Sequence, residues 1–243
     1  MLKKQEFEFQ VSGLGKSREE KLATVEAMRT LASQDNDVII VNPEAEYHHA
    51  AICNNSIPEP KITAIQPRNF GKIGRWYYEP PIYTDHRFIL GTVGENPLVC
   101  FGINPSTAEP GNLDNTLKSV ARIAKNNGFD SWIMFNVYPQ RATNPNDMDA
   151  ERNEQLHCLN MQYIEQIFCR KNVVLWAAWG TIVEKRQYLK EYVKEIVNLA
   201  QKYNLPWVSF GPISKFGHPH HPLYLKQDSV SAPFDINEYI TKL

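Results

Sequence analysis

An alternation of apolar runs with amphipathic helices most constrains how this chain can fold. From residue 98 onward, four apolar runs of strand length follow one another: 98–103, 131–137, 172–179 and 206–211. Helical periodicity predicts a helix in each intervening segment, and Gly128 marks the end of the first. Apolar strands separated by helices favour a parallel sheet that is covered on both faces. The expected fold is α/β, a three-layer α/β/α sandwich with a central four-stranded parallel sheet.

Polar and aromatic residues follow each of the four predicted strands. They are Asn104, Pro105, Ser106 and Thr107 after the first, Asn136 and Tyr138 after the second, Trp179 after the third, and His218 and His221 in the loop after the fourth. Right-handed crossovers bring the carboxyl ends of parallel strands to one edge of a sheet. Ligands bind at that edge, where the strand order reverses. The sequence therefore predicts a site that these residues share.

Each of these residues also has a structural interpretation. Asn-Pro-Ser is a common turn, and Asn136 alone could cap the end of a strand. Tyr138 and Trp179 could be core residues. The histidines at 218, 220 and 221 could form a solvated loop or a metal site, but no acidic or cysteine partner lies near them in the sequence. The joint occurrence at four successive strand ends favours a site without a metal.

The composition narrows the classes of protein to which the chain can belong. A formal net charge of −1 argues against a surface coated in basic residues, although a local patch that binds nucleic acid stays open. The four cysteines show no C-x-x-C spacing, so we expect reduced thiols and a cytoplasmic protein. The apolar runs are too short for a bilayer, and the opening "MLKKQEFEF" has no signal-peptide core. No membrane partner and no cofactor are expected, and the oligomeric state stays open.

Four segments resemble the uracil-DNA glycosylase superfamily. "GINPS" (102–106) is similar to the first motif of its mismatch-specific thymine/uracil branch, and "FNVYPQRAT" (135–143) is similar to that branch's second motif. "VVLWAAWG" (173–180) resembles an apolar strand of the superfamily that ends in Trp-Gly. "HPLYL" (221–225) resembles its late His-Pro-x-x-Leu loop. The resemblance implies a glycosylase-like α/β/α domain over residues 72–243.

A second, narrower resemblance is to the bacterial domain-of-unknown-function family 1643. The segments that carry it are "DHRFILGTV", "GINPSTAE", "LDNT", "FNVYPQRATNP" and "HPLYL". In combination these motifs are specific, and the resemblance extends over residues 76–243. It implies membership of a family and supplies no activity.

The glycosylase resemblance implies roles for individual residues. Asn104 would orient the attacking water, since an amide carbonyl accepts a hydrogen bond although it cannot take up a proton. His221 would stabilise the anion of the leaving base, and Asn136 would bind the edge of a pyrimidine. The other candidate substrate-binding residues are Ser106 and Thr107 for a phosphate, Tyr138 and Trp179 for stacking, Arg141 in the second motif, and His218 as the histidine of an alternative loop register.

One departure affects the expected substrate. The glycosylase loop usually has a small hydroxyl residue after His-Pro that contacts phosphate, and here Leu223 holds that place. A free nucleotide is therefore an alternative to nucleic acid. We expect an N-glycosidic hydrolase acting on a nucleobase in nucleic acid or a nucleotide. The alternative is a non-catalytic module that binds nucleotides or nucleic acid on the same fold.

Residues 1–57 read differently from the rest of the chain. "GLGKSREEK" and "DNDVIIVNPEAEY" resemble the nucleotide-binding segment of conjugation-type secretion ATPases. The first glycine of the phosphate loop is replaced by Gln10 and an expected aspartate by Asn42, so we expect a truncated remnant without ATP hydrolysis. Residues 58–71 are expected to be a linker. The alternative is that a helix and a strand in 1–57 simply flank the sheet.

Overall fold

The computed structural model describes residues 72–73 and 75–243, which form an eight-stranded mixed sheet with helices. The strands are β1 Lys72–Ile73, β2 Trp76–Glu79, β3 Ile89–Thr92, β4 Pro97–Gly102, β5 Ser131–Asn136, β6 Val174–Ala177, β7 Trp207–Phe210 and β8 Ser231–Pro233. The helices are α1 Asn115–Asn126, α2 Glu154–Phe168, α3 Gln187–Lys202 and α4 Ile236–Lys242. Within the described residues, the connections contain three 3-10 segments, Pro145–Asp147, Gly180–Lys185 and Pro222–Tyr224. The expectations for residues 1–57 and 58–71 lie outside the described residues.

The order of the strands is β1-β2-β3-β5-β4-β6-β7-β8. Pairing is parallel between β5 and β4, between β4 and β6, and between β6 and β7. Antiparallel strands extend the sheet on both sides, with β3, β2 and β1 beyond β5 and with β8 beyond β7. The predicted α/β class is confirmed, and the sheet is mixed and larger than the sequence indicated.

Alternation along the strands divides the core into two layers. In β4, Val99 and Phe101 face the cluster that contains the buried residues of α2, α3 and α4. Leu98 and Cys100 face the opposite cluster, which contains the buried residues of α1. Successive side chains of a strand point to opposite faces, so a strand that is apolar throughout is buried on both. The helices therefore cover both faces of the sheet.

Helix α1 begins directly after the loop that carries the first polar motif. Asp114 caps it, because Oδ1 accepts a hydrogen bond of 2.8 Å from the backbone N–H of Leu117. Its buried residues, which include Leu117, Val120 and Ile123, recur at helical spacing. Gly128 follows the helix with a φ of 81°, a left-handed conformation that glycine adopts without strain. This end of the helix agrees with the sequence prediction.

The order of the parallel strands fixes where a crevice opens. The chain passes from β4 to β5 on one side and then returns across β4 to reach β6 and β7. The order therefore reverses between β4 and β6, and their carboxyl ends flank the switch point at which open α/β sheets bind ligands. Residues 103–107 follow β4 at this place, and residues 178–180 follow β6.

Two expectations about the environment of the chain concern membranes and thiols. Among the described residues, no helix has the length and apolar character that crossing a membrane requires. Cys100 is a buried free thiol and Cys169 is an exposed one. Cys158 is disulfide-bonded, so the expectation that all four cysteines are reduced is wrong.

Candidate functional site

Asn104 lies two residues beyond the end of β4, where its half-buried amide is held in one orientation. Nδ2 donates a hydrogen bond of 2.6 Å to the carbonyl of Ala142 and one of 3.1 Å to that of Pro105. Carbonyl oxygens only accept, so they fix which end of the amide is the nitrogen. Oδ1 then points away from them, and no donor in the described part of the chain bonds to it. Asn104 therefore presents an oriented acceptor.

Asn136 is the last residue of β5 and is only 1% exposed. Within the described residues, neither Oδ1 nor Nδ2 has a hydrogen-bond partner. An unpaired buried polar group costs about 1–3 kcal/mol, so a pair of them in one amide is unusual for a side chain that only supports the fold. A ligand that offers one donor and one acceptor would recover this cost.

The neighbouring strand leaves room for the Asn136 amide. Gly102 of β4 is the register partner of Asn136. A Cβ atom on Gly102 would lie 3.1 Å from Oδ1 of Asn136 and 2.6 Å from Cε of Met134. The absence of a side chain at Gly102 thus permits the close approach of the amide to β4.

Asn160 of α2 supports the same strand end from behind. It is fully buried, and its Nδ2 donates a hydrogen bond of 2.9 Å to the backbone carbonyl of Asn136. Its own Oδ1 is enclosed without a partner among the described residues. Asn160 was not predicted from the sequence as a site residue. The available signal is an amide on the buried stripe of α2, at helical spacing from Leu156 and Ile164.

His221 lies beside the carboxyl end of β6, where it begins the 3-10 segment Pro222–Tyr224. A Cβ atom on Gly180 would lie 3.5 Å from Cβ of His221. The backbone N–H of Leu223 donates a hydrogen bond of 3.3 Å to Nδ1, so Nδ1 carries no proton and Nε2–H is the donor of the neutral ring. Burial lowers the pKa of His221, while the charge of Asp114 opposes that shift. We call Asn104, Asn136 and His221 the switch-point site.

Two guanidinium groups meet at the loop that follows Pro105. Arg141 donates from Nη1 to the carbonyls of Ser106 and Ala108 and from Nη2 to the hydroxyl of Tyr78, at 3.0 Å. Arg87 is 2% exposed and donates from Nη1 to the same Ala108 carbonyl, at 3.2 Å. Burial and then the charge of Arg141 lower the pKa of Arg87 to about 10.

The negative charge of Asp114 acts on both Arg87 and His221. It raises the pKa of each group and so opposes the lowering of that pKa by burial. Arg87 and Asp114 lie within the motif segments, but no role was predicted for either from the sequence. Ser106, whose Oγ lies 3.4 Å from Oγ1 of Thr143, is half-buried, and Thr107 is exposed.

Tyr138 and Trp179 are part of the packing on the other face of the sheet. Tyr138 is fully buried, its hydroxyl donates to Asp149, and its ring packs against Tyr188 and Tyr192. Trp179 is 1% exposed, and its Nε1 donates a hydrogen bond of 2.8 Å to the hydroxyl oxygen of Tyr239. Both side chains therefore agree with the alternative that they are core residues.

His218 is in a different environment from His221. Its Nδ1 lies 2.9 Å from the hydroxyl of Tyr239, and its Nε2 lies 3.2 Å from a carboxylate oxygen of Glu184. We call Trp179, Tyr239, His218 and Glu184 the His218 cluster. The last three line a groove of about 760 Å³ beside β7, β8 and α4.

The three histidines of the loop have separate partners. His220 Nδ1 contacts the carbonyl of Pro212, whereas His218 and His221 have the partners described above. Among the described residues, no group of three or more His, Cys, Asp or Glu side chains could hold a metal ion. Asn104, Ser106, Asn136, Arg141 and His221 follow or flank the ends of β4, β5 and β6. Tyr138 and Trp179 also follow strand ends, but their side chains pack into the core layer that contains α2, α3 and α4, and His218 bonds to Tyr239 of that layer.

Comparison with known proteins identifies a family. The model of the family described as "Protein of unknown function (DUF1643)" matches residues 87–223, more than half of the chain. This range includes Arg87 and the whole switch-point site. No curated protein and no solved structure matches the chain. The chain therefore belongs to the DUF1643 family of proteins of unknown function.

Proposed function

We propose that the protein is an N-glycosidic hydrolase that releases a nucleobase from nucleic acid or from a nucleotide. The observation that carries the proposal is the buried amide of Asn136, which has no partner for either polar atom among the described residues. A side-chain amide offers one acceptor and two donors, which complements the carbonyl and N–H groups along the edge of a pyrimidine. A base bound there would pair atoms that are otherwise unpaired.

The chemistry that we propose for Asn104 is orientation of water. Its Nδ2 is held by two backbone carbonyls, so Oδ1 is a fixed acceptor for a water hydrogen. A fixed acceptor places the water oxygen without the cost of ordering it during the reaction. An amide does not take up the water proton, so the mechanism requires that the bond between C1′ and the base is largely broken before water attacks C1′. The proton that this water loses then passes to the departed base anion.

His221 would act on the leaving base. Its pKa is lowered by burial, so the ring is neutral near pH 7 and donates from Nε2–H. A base that departs with the bonding electrons becomes an anion, and a donor aimed at its oxygen stabilises that charge as it develops. The contact strengthens in the transition state, which makes it catalytic in effect.

We propose further that the sheet with its helices is a glycosylase-like α/β/α sandwich. In support, the first three motif segments include the ends of the parallel strands β4, β5 and β6, and the fourth lies in the connection after the parallel strand β7, in the chain order of the superfamily's motifs. The proposed residues follow β4 and β5 and flank the switch point between β4 and β6.

For residues 1–57, we propose a remnant of a nucleotide-binding segment without ATP hydrolysis. The support is in the sequence, where Gln10 and Asn42 replace residues that such segments need. ATP that raised the melting temperature of the full chain would contradict this proposal, because a ligand that binds the native state stabilises it.

A base-release assay tests the main proposal. The full chain is incubated with uracil-containing single strands, with U·G and T·G duplexes, and with uridine 5′-monophosphate, and free base is measured by liquid chromatography and mass spectrometry. We expect release from at least one of these substrates. The Asn104→Ala protein, prepared identically, controls for a contaminating glycosylase, since contamination would give equal release in both preparations.

A second candidate function has one observation in its favour. Neither Asn104 nor His221 is an acid, and the nearby carboxylate of Asp114 is engaged as the cap of α1. A non-catalytic module that binds nucleotides or nucleic acid would need the Asn136 amide, but it would need no side chain that takes up a proton. Binding of uridine 5′-monophosphate without release of uracil from any substrate in the assay would favour this module.

A further inference from the structure

Arg87 has an unusual number of free hydrogen-bond donors for an enclosed cation. A guanidinium carries five N–H groups. Within the described residues, the carbonyl of Ala108 is the one hydrogen-bond acceptor that the guanidinium group of Arg87 reaches, and Nε of this group is enclosed without a partner. Arg141, which is half-buried, likewise has an enclosed Nε without a partner.

The two guanidinium groups also repel each other. Both donate to the Ala108 carbonyl, and no ion pair within the described residues joins either of them to a carboxylate. Glu109 reaches Arg141 only through the hydroxyl of Tyr78, and Asp114 acts on Arg87 only through space. A buried cation beside a like charge is costly unless an anion lies against it.

We infer that Arg87 and Arg141 form a subsite for the terminal phosphate of a free nucleotide. A phosphate monoester carries close to two negative charges, which would offset both guanidinium groups, and its oxygens match the planar fork of arginine. The half-buried Arg141 gives the phosphate access from solvent, and Arg87 lies enclosed next to it. Ser106, whose carbonyl accepts from Arg141, adds a hydroxyl at the same place.

The enclosure of Arg87 favours a free nucleotide over a polymer. An internal phosphodiester of DNA or RNA is flanked by sugars on both sides and carries one charge, whereas a terminal phosphate reaches an enclosed group end-on. The chain has a net charge of −1 and carries Leu223 where a phosphate-binding hydroxyl is expected, and neither favours a long nucleic-acid backbone. The anion subsite stands on its own geometry, while its assignment to a nucleotide rests on the proposed function.

The experiment compares three probes on the full chain: uridine, uridine 5′-monophosphate and inorganic phosphate. Binding is measured by titration calorimetry and by the shift in melting temperature. We expect the monophosphate to bind at least ~10-fold more tightly than uridine, which is the size of one charge-assisted hydrogen bond. Inorganic phosphate should raise the melting temperature and should compete with the monophosphate.

Variants of Arg87 and Arg141 test whether these two residues cause the difference in affinity between uridine 5′-monophosphate and uridine. Arg87→Gln and Arg141→Gln should each remove most of the difference between the monophosphate and uridine. Arg122→Gln is the matched control, because Arg122 donates to Ser119 on α1 and should leave the difference unchanged. Circular dichroism without ligand checks that each variant is folded, and Arg87→Lys, which keeps the charge without the fork, replaces Arg87→Gln if that variant does not fold.

The outcomes separate this inference from the proposed function. Equal affinity for uridine and its monophosphate, with no effect of inorganic phosphate, would overturn the subsite even if the protein released base from DNA. Phosphate binding that depends on Arg87 and Arg141, without release of any base, would support the subsite and would contradict the hydrolase.

Discussion

The switch-point site and the His218 cluster both contain polar side chains at the carboxyl edge of the sheet, but they use their hydrogen bonds differently. In the switch-point site, the Asn136 amide and Oδ1 of Asn104 have no partner among the described residues. In the His218 cluster, each side chain is bonded to the next. Complete pairing is what a structural network needs, and incomplete pairing leaves atoms for a ligand.

Donor and acceptor chemistry fixes the direction of the bonds in the His218 cluster. The indole of Trp179 can only donate, so the oxygen of Tyr239 accepts from it and its hydroxyl proton goes to Nδ1 of His218. Nε2–H of His218 then faces the carboxylate of Glu184. Both ring nitrogens are used within the protein. The comparison therefore supports the proposal that the chemistry takes place at the switch-point site, and it indicates a structural role for the His218 cluster.

The largest effect that we predict is a lower rate of base release in the Asn104→Ala variant. Removal of a preorganised polar group at a reacting centre should lower base release by roughly 100-fold or more. Affinity for the monophosphate should change little, since Asn136 and the arginines remain. Asn144→Ala is a control, because Asn144 is an exposed cap of a 3-10 segment. Single-turnover rates measure the effect, and an unchanged rate would remove Asn104 from the chemistry.

The two histidines should separate rate from stability. His221→Ala should lower the rate of base release by roughly 10- to 100-fold and should affect affinity less, because its partner charge develops only in the transition state. His218→Ala should lower stability by about 1–3 kcal/mol, since it leaves the buried hydroxyl of Tyr239 without an acceptor. Its effect on the rate should be small.

Rates and chemical denaturation of both variants measure this contrast. Loss of activity in His218→Ala together with full activity in His221→Ala would reverse the comparison. It would also show that the His-Pro motif of the loop was registered wrongly.

The sequence predicted the central strands of the sheet better than the strands at its edges. Continuous apolar runs identified the strands that became β4, β5, β6 and β7, because strands covered on both faces leave a strong signal. The antiparallel strands β1 and β8 are two and three residues long, and each residue of β8 is exposed. Such strands are defined by the backbone of their neighbours, so no local pattern indicates them.

Prediction of the site was also limited, because the contacts of a side chain depend on neighbours that are distant in the sequence. The positions of Asn104 and Asn136 follow from strand ends, which a sequence pattern locates, whereas His221 was predicted from the His-Pro motif of the loop after the fourth strand. The partners of a side chain do not follow from a sequence pattern, so Tyr138, Trp179 and His218 were grouped with residues whose polar atoms are free. Arg87 and Asn160 were missed because a buried polar residue has a meaning only once its neighbours are known.

Replacement of Asn136 or His218 by leucine tests the comparison through the free energy of unfolding. Leucine has the same number and branching of side-chain heavy atoms as asparagine, and Asn136→Leu would exchange an unpaired buried amide for an apolar group. We expect a gain in the free energy of unfolding of about 1 kcal/mol, with loss of binding to the monophosphate. His218→Leu should instead destabilise the protein, because the contacts of the His218 ring with Tyr239 and Glu184 would be lost. Urea denaturation measures both, and a large loss in Asn136→Leu would show that its amide has a structural partner after all.

The smallest expected effect is a shared response to pH. Burial lowers the pKa values of His218 and His221, although Glu184 and Asp114 oppose the shifts. Unfolding restores the ordinary pKa near 6.5, so below that pH the unfolded chain binds more protons than the folded one. The contribution of both histidines to stability is therefore complete above about pH 6.5 and is lost as the pH falls toward their lowered pKa values. Melting temperatures between about pH 7.5 and 5.5 should fall on acidification, and less so in His218→Gln and His221→Gln. Because burial lowers the pKa of both histidines, His218 and His221 should both contribute to a loss of stability on acidification. A wild-type protein that gained stability on acidification would show that the neighbouring carboxylates outweigh burial, and His221 would then be a cation in the range where we expect a neutral donor.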